Sequence, residues 1–390
     1  MISREAEEEI RSLAGQFKAV AVVGPRQSGK TTLTRAIFRD KPYTSLENPD
    51  TRQFAEQDPR GYLAQFTEGA VIDEAQRVPS LFSYLQQILD ENENNGQFIL
   101  SGSNNFLLQQ TIAQSLAGRL AYAYLLPFST TELKSGNYLL DSTDGVLFKG
   151  SYPPIYDRKI EPSKWYQNYI RTYVERDVRL VKNITNLSIF ERFLRLCAGR
   201  AGQLLNKNNL SIEVGVDNKT IDSWLSVLES SFIIHLLKPH YQNFNKRVVK
   251  MPKLYFYDTG LLCSLLGIQA ENHLISHPLK GNLFENFIVG EFLKAQFNLG
   301  NRDRLFFWRD SKGNEIDLIL DKGNGLYPIE IKSGQTITES YFKGLNYWNT
   351  MTNSSGGTVI YAGADNQKRS NDIDVISYFK KDYKDFFKSA

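Results

Sequence analysis

Glycine, lysine and hydroxyl residues stand at fixed spacing in Gly24-Pro25-Arg26-Gln27-Ser28-Gly29-Lys30-Thr31-Thr32, directly after the apolar run Phe17 to Val23. Gly24 and Gly29 let a tight loop turn its backbone N–H groups toward phosphate oxygens. Lys30 can reach the β- and γ-phosphates, and Thr31 offers a hydroxyl to Mg²⁺. A strand running straight into such a loop is a P-loop in its usual setting, so the spacing predicts a nucleotide held by residues 24 to 32. Farther along, Gly69-Ala-Val-Ile-Asp73-Glu74 places two carboxylates at the carboxyl end of a buried strand, the edge at which open α/β sheets bind ligands. As a Walker B pair, Asp73 holds Mg²⁺ through water and Glu74 orients the attacking water. The plainer alternative makes Asp73 and Glu74 the cap of the next helix. The expected catalytic set is Lys30, Asp73 and Glu74, and the expected metal ligands are Thr31 and Asp73. No Asn-Lys-x-Asp base-reading motif follows the fourth strand, which points to ATP rather than GTP.

Three further residues extend the nucleotide site. Ser103 and Asn104 follow the strand Phe98 to Leu100, where they either reach the γ-phosphate or its water, or cap the helix Phe106 to Leu116. Arg119 closes the stretch Ser115-Leu-Ala-Gly118-Arg119 and has two readings: it complements the carbonyl end of that helix, or it stabilises charge on the nucleotide.

A second constellation lies near the C-terminus. Glu285 is the one glutamate on an apolar helix face that carries Leu283, Phe284, Phe287, Ile288 and Phe292. Asp317 follows in the strand Glu315 to Leu320, and Glu330 and Lys332 share one face of the strand Leu326 to Lys332, because residues two apart in a strand point the same way. Charges on a buried sheet need partners. The layout is that of a PD-(D/E)xK site, in which Asp317 and Glu330 bind Mg²⁺, Lys332 steadies the water or the phosphate, and Glu285 orients the set. The alternative is a retained fold whose charges merely pair with one another.

The elements needed to hold these residues can be read from periodicity. Short apolar strands, Val20 to Val23, Tyr43 to Leu46, Ala70 to Ile72, Phe98 to Leu100 and Ala121 to Leu125, alternate with helical patterns, as a parallel sheet with crossover helices requires. The aromatic positions Trp165, Tyr166, Tyr169 and Tyr173 in the long helix Trp165 to Leu180 are spaced for packing against the nucleotide domain. Arg171, Arg176 and Arg179 on that helix are surface charges or contacts to a neighbouring nucleotide. Residues 206 to 228 read as two helices joined by a glycine turn, the second capped by Asp217, ahead of a hairpin from Phe232 to Leu237 and Leu254 to Tyr257. Lys246, Arg247, Lys250 and Lys253 form a basic wing on that hairpin, suited to DNA phosphates, with Lys219 as the exposed base of the second helix.

The chain has 390 residues, enough for two or three cores. Its net charge of +3 is too small to argue for nucleic acid by itself. The N-terminal residues read as a charged helix start rather than a signal sequence, and no apolar run is long enough to span a bilayer. Cys197 and Cys263 lack metal-ligand spacing and suit a reducing cytoplasm. The expected organisation is a P-loop ATPase domain over 1–135, a helical and winged-helix-like segment over 136–265, and a nuclease-like α/β domain over 266–390.

Taken in order, Gly-Pro-Arg-Gln-Ser-Gly-Lys-Thr-Thr-Leu, Val-Ile-Asp-Glu-Ala-Gln-Arg-Val-Pro, Ser-Gly-Ser-Asn-Asn-Phe-Leu-Leu, and Ser-Leu-Ala-Gly-Arg followed by Leu-Pro-Phe-Ser-Thr-Thr-Glu-Leu resemble the prokaryotic AAA-type ATPases that carry a C-terminal domain of unknown function. The resemblance covers nearly the whole chain. It implies an AAA+ module of the ASCE class, a winged-helix-like segment and a domain similar to PD-(D/E)xK nucleases, with Mg·ATP as ligand. The leading expectation is an ATPase whose cycle moves domains that engage double-stranded DNA. Two alternatives stand beside it: an ATP-gated, metal-dependent nuclease, and a nucleotide-responsive module that binds a protein partner without cleavage. Oligomeric state is left open.

Overall fold

The computed structural model describes residues 2–102, 116–138, 142–174, 186–241 and 249–388. The chain divides into two compact units. One comprises Met1–Phe128 with Ser230–Phe232 and Phe297–Gly300, the other Ser129–Glu229 with Ile233–Gln296 and Asn301–Ala390. Among the described residues, no helix is long and apolar enough to cross a membrane.

In the first unit, helix α1 (Glu7–Gln16) precedes strand β1 (Ala19–Val23), which leads through the glycine-rich loop into α2 (Lys30–Ile37). Strands β2 (Tyr43–Ser45) and β3 (Ala70–Asp73), helix α3 (Leu81–Glu91), and strands β4 (Phe98–Gly102) and β5 (Leu120–Tyr124) follow. The five strands form one parallel sheet in the order β2-β3-β4-β1-β5. The expected strands are all present, with ends displaced by a residue or two. Strands β1, β3 and β4 are buried along their whole length, which is why they read as continuous apolar runs rather than alternating ones. The core gathers Ala6 at the start of α1 and Ile10 within it, Val20 and Val22, Leu33 and Ile37 of α2, Val71, Ile99, Ala123 and Leu125. The register aligns Asp73 with Ser101 and Ser101 with Val22, so the carboxyl ends of β3, β4 and β1 lie side by side.

The second unit opens with helix α4 (Thr130–Ser135), started by a capping box in which the Ser129 hydroxyl accepts from the Glu132 N–H and the Glu132 carboxylate accepts from the Ser129 N–H. Helix α5 (Pro162–Tyr169) passes directly into a π-helical turn, Ile170–Val174, where one unbroken helix from Trp165 to Leu180 was expected; residues 175–185, with Arg176 and Arg179, lie outside the described residues. Its described aromatic side chains are buried as expected, but against a different partner. Trp165, Tyr166 and Tyr169 surround Tyr152 within this same unit, with ring centroids 4.8 to 6.1 Å from it, rather than the nucleotide domain.

Helices α6 (Lys207–Val214) and α7 (Asn218–Ser230) are joined through left-handed Gly215, and Asp217 caps α7 by accepting from the Thr220 N–H at 2.9 Å. Strands β6 (Gln203–Leu204), β7 (Ile234–Leu237) and β8 (Lys253–Phe256) form a small sheet in the order β6-β8-β7. Lys246 and Arg247, expected in the basic wing, lie outside the described residues. Helix α8 (Lys280–Asn298) then precedes β9 (Leu305–Arg309), β10 (Glu315–Asp321), β11 (Leu326–Lys332), helix α9 (Lys343–Thr352), β12 (Gly357–Tyr361), β13 (Gln367–Lys368) and β14 (Ile373–Ser377). These six strands form a sheet in the order β13-β14-β12-β11-β10-β9. It is antiparallel from β9 to β11 and parallel from β11 through β12 to β14.

Candidate functional site

The loop after β1 is shaped by close approach. A side chain on Gly24 would bring its Cβ within 2.1 Å of the Leu125 carbonyl oxygen, so only glycine lets β1 turn there. Gln27 (φ 61°) and Gly29 (φ 95°) are both left-handed, an alternation that makes a concave array of N–H groups suited to anions. Gly29 is also the residue from which α2 begins, so the loop meets the positive end of that helix. Lys30 is buried and its Nζ donates to the carbonyls of Gly24 and Pro25, at 3.0 and 2.8 Å. Ser28 is fully buried and its hydroxyl has no hydrogen-bond partner among the described residues, an unmet polar group at the centre of an anion cradle. Pro25 is buried, Arg26 half-buried, and Thr32 faces outward from the first turn of α2.

Thr31 and Asp73, remote in sequence, meet here: the Thr31 hydroxyl donates to Asp73 Oδ2 at 3.1 Å. Two hydroxyls that the sequence did not single out complete the carboxylate's shell. Tyr43 donates to Oδ2 at 3.0 Å, and Ser101 donates to Oδ1. Both are visible in sequence only as strand residues, since their relation to Asp73 depends on strand order. Burial and the Asp73 carboxylate push the Tyr43 phenol up to about 12, so it remains a donor at neutral pH. Glu74 is held left-handed (φ 54°, ψ 40°), a conformation uncommon for a non-glycine residue and frequent at functional positions. The Gln76 amide donates to its carboxylate. These hydroxyl and carboxylate oxygens, beside the loop's concave array of N–H groups, are hard oxygen donors of the kind Mg²⁺ takes.

Arg4 is a further residue of this site without a sequence signal, because it precedes α1 and belongs to no motif spacing. It is 7 % exposed, donates to the carbonyls of Ser28 at 2.7 Å and Leu126 at 2.6 Å, and lies 4.8 Å above the Phe128 ring. It ties the middle of the phosphate loop to the end of β5. Arg4→Ala is expected to destabilise the unit by about 1.5–3 kcal/mol, the worth of hydrogen bonds to a charged group, and to weaken nucleotide binding several-fold; thermal melts and a nucleotide titration check both.

Arg119 does not belong to the site. It immediately precedes β5, whose register pairs Ala19 with Leu120 and Val23 with Tyr124, so Arg119 sits at the amino edge of the sheet, opposite the P-loop. There its guanidinium pairs with both oxygens of Asp90 and donates to the Ala117 carbonyl. The nucleotide reading is therefore corrected: a parallel sheet puts the residue before a strand and the loop after its neighbour at opposite ends. Ser103 and Asn104 lie outside the described residues.

The second unit brings Asp317, Glu330 and Lys332 together on β10 and β11. The Lys332 ammonium lies between Asp317 Oδ2, at 3.1 Å, and Glu330 Oε2, and the Ile331 N–H donates to Asp317 Oδ2 at 2.8 Å. Burial opposes ionisation of Asp317, but Lys332, Lys253 and that N–H outweigh it and hold the carboxyl below its usual range. Burial, with Asp317 adding to it, raises Glu330 well above the normal carboxylate range. Glu285, also raised by burial, accepts from Lys253 at 2.9 Å and from the Tyr255 hydroxyl at 2.6 Å. Lys253 pairs with Glu315 as well, and Glu315 with Arg309. The expectation that Lys253 is a basic residue of an exposed wing is corrected: it is 3 % exposed and faces the carboxylates. The alternation Lys253-Leu-Tyr255, two polar residues on one strand face, is the signal that could have placed both there. No group of three or more histidine, cysteine, aspartate or glutamate side chains arranged to hold a metal occurs among the described residues. Cys197 and Cys263 are free and buried.

Comparison with known families places these sites in context. A family model described as an AAA domain matches residues 16–134; models described as domains of unknown function match residues 140–272 (DUF8612) and 280–380 (DUF4143). The uncharacterized protein Rv2008c of Mycobacterium tuberculosis and the uncharacterized protein Mb2031c of Mycobacterium bovis are each 30% identical to this chain over 338 residues, covering 85% of it and 74% of their own length. Among solved structures, the Walker-type ATPase PABY2304 of Pyrococcus abyssi aligns with 68% of this chain and 96% of its own, at 14% identity and a TM-score of 0.47. The chain belongs to the family of these two mycobacterial proteins, with an AAA domain at residues 16–134 ahead of two domains of unknown function.

Proposed function

We propose that the AAA domain binds ATP with Mg²⁺ and hydrolyses it, and that this cycle governs how the second unit engages double-stranded DNA. The observation that carries the first part is the 3.1 Å contact between Thr31 and Asp73, which joins the glycine-rich loop to the carboxylate strand at the sheet edge where ligands bind. In this reading residues 24–32 cradle the phosphates, and Lys30 exchanges its two loop carbonyls for β- and γ-phosphate oxygens. The Ser28 hydroxyl finds its missing partner on a phosphate. Thr31 and Asp73 hold Mg²⁺, which when bound neutralises charge on the phosphate oxygens. Glu74, released from Gln76, orients and polarises the attacking water.

Support for the second part is architectural. Helices α6 and α7, with the small sheet β6-β8-β7, have the make-up of a winged helix, and Lys219 on α7 is exposed. The sequence α8, β9, β10, β11, α9, β12, with three antiparallel strands followed by a parallel one, is the order of a PD-(D/E)xK core. We assign these roles to residues 1–135, 136–265 and 266–390, with a cytoplasmic location. One observation favours a second reading, a nucleotide-responsive module that binds a protein partner without cutting: Lys332 stands between Asp317 and Glu330, the pair that an ATP-gated nuclease would need for metal.

The test is steady-state ATP hydrolysis with Mg²⁺, with and without linear duplex DNA, beside a gel of the same DNA and an Asp317→Ala control. Hydrolysis stimulated by duplex, with the DNA intact, is the expected result. Hydrolysis indifferent to DNA favours the protein-binding module, and cleavage lost in Asp317→Ala favours the nuclease.

A further inference from the structure

We infer that Lys253 is a built-in counter-ion that occupies the carboxylate site of the C-terminal domain in place of a divalent metal. Four carboxylates line this region in two pairs, Glu285 from α8 with Glu315 from β10 on Lys253, and Asp317 from β10 with Glu330 from β11 on Lys332. A nuclease-like fold would use such a set for Mg²⁺ or Mn²⁺, whose oxygen ligands must surround the ion. Here cations of the chain itself already stand among them. The Lys253 ammonium accepts no solvent role, being 3 % exposed, and pairs with Glu315 and, at 2.9 Å, with Glu285. Tyr255, two residues on and on the same strand face, fixes the same Glu285 oxygen at 2.6 Å. Lys332 pairs with Asp317 and Glu330, and Arg309 with the second oxygen of Glu315 at 2.8 Å.

A divalent ion entering this cluster would have to displace a buried ammonium and leave it unpaired, or sit beside it against Coulomb repulsion. The residues present therefore do not fit a resident metal. Lys253 decides this more than Lys332 does. A lysine beside the two strand carboxylates is part of the nuclease-like pattern, whereas Lys253 comes from β8, in the three-stranded sheet that precedes the domain. The charge of the site is thus set by an element outside the sheet that carries Asp317 and Glu330. The inference rests on reading Glu285, Asp317, Glu330 and Lys332 as the nuclease-like set, and it sharpens that reading toward a domain that does not cut.

The experiment is a Mn²⁺ titration of the full chain without nucleotide, followed by calorimetry or by the electron-spin signal of free Mn²⁺. Wild type, Asp317→Asn, Lys253→Gln and the double variant Lys253→Gln/Asp317→Asn are compared. Any contribution from Asp73 is common to all four, so the differences report the C-terminal cluster. Wild type and Asp317→Asn are expected to bind Mn²⁺ alike. Lys253→Gln is expected to gain one site about tenfold tighter than any in wild type, and the double variant to lose it. A wild-type site abolished by Asp317→Asn would overturn the inference while strengthening the nuclease-like reading. A folded Lys253→Gln with no gain, or a gained site that survives Asp317→Asn, would also overturn it. The first comparison leaves Lys253 untouched, so the inference remains open to refutation even if Lys253→Gln does not fold.

Discussion

Lys30→Ala is expected to abolish ATP binding at working concentrations, and Glu74→Gln to preserve binding while stopping turnover. Lys30 is the cation buried within the phosphate loop, where it now donates to the Gly24 and Pro25 carbonyls. Truncating one partner of a desolvated charge pair costs about 2–5 kcal/mol, or roughly 30-fold to several-thousand-fold in affinity. Glu74 is a left-handed residue directly after Asp73, and its carboxylate accepts from Gln76. The amide of Glu74→Gln keeps the volume and the bond-forming capacity but cannot accept a proton from water, and loss of a positioned base removes about 10²–10⁴-fold in rate. The diagnostic is the split between the two variants: no nucleotide retained by Lys30→Ala on equilibrium dialysis, against ATP retained and unhydrolysed by Glu74→Gln. A Glu74→Gln variant with undiminished turnover would take Glu74 out of the mechanism and leave it with the helix-start role that its neighbours Ala75 to Arg77 also suit.

What could be read in the sequence, and what could not, divides along one physical line. The P-loop, the buried strands and the Asp217 cap are local: each depends on residues a few positions apart, and periodicity or turn chemistry determines them. Asp73 was legible because a paired carboxylate at the end of an apolar run has few other uses. Its companions Tyr43 and Ser101 were not, because which hydroxyl reaches which carboxylate depends on the order β2-β3-β4-β1, a long-range property. Arg119 differs from its nucleotide reading for the same reason, since nothing in Gly118-Arg119 says at which edge of the sheet those residues lie. In the second unit Glu330 and Lys332 were found from strand alternation. Lys253 was misplaced because a lysine in a basic run looks solvated until the carboxylates opposite it are known. Trp165, Tyr166 and Tyr169 were rightly read as a buried face, while the identity of the surface they bury against, the Tyr152 ring, follows from topology and not from spacing.

Glu291→Ala is expected to destabilise the second unit as strongly as truncating a large core side chain. Glu291 is 2 % exposed, and both of its oxygens are used: Oε1 accepts from Lys294 at 2.7 Å, and Oε2 accepts from the Thr130 N–H at 2.8 Å and the Thr130 hydroxyl at 2.7 Å. Lys294 reaches on to the Ser151 hydroxyl at 3.2 Å, and Ser151 donates through both N–H and hydroxyl to Asp258, which in turn caps the helix beginning at Thr259. One carboxylate thus ties the start of α4 and the turn before Tyr152 to the middle of α8. Its removal takes a carboxylate away from a buried ammonium and leaves two Thr130 donors without an acceptor. Breaking a buried pair from one side costs about 3–5 kcal/mol, which for a unit of this size is a fall in Tm of about 6–20 °C. A fall within a degree or two would mean that water or a shifted side chain satisfies Lys294 at little cost. The double variant Glu291→Leu/Lys294→Met separates charge from packing. Removing both ions together spares the desolvated ammonium, so it should melt well above Glu291→Ala, short of wild type by the cost of the two Thr130 donors left without an acceptor. If it melts as low as the single variant, the loss lies in the Thr130 bonds that hold α4 and not in the ion pair.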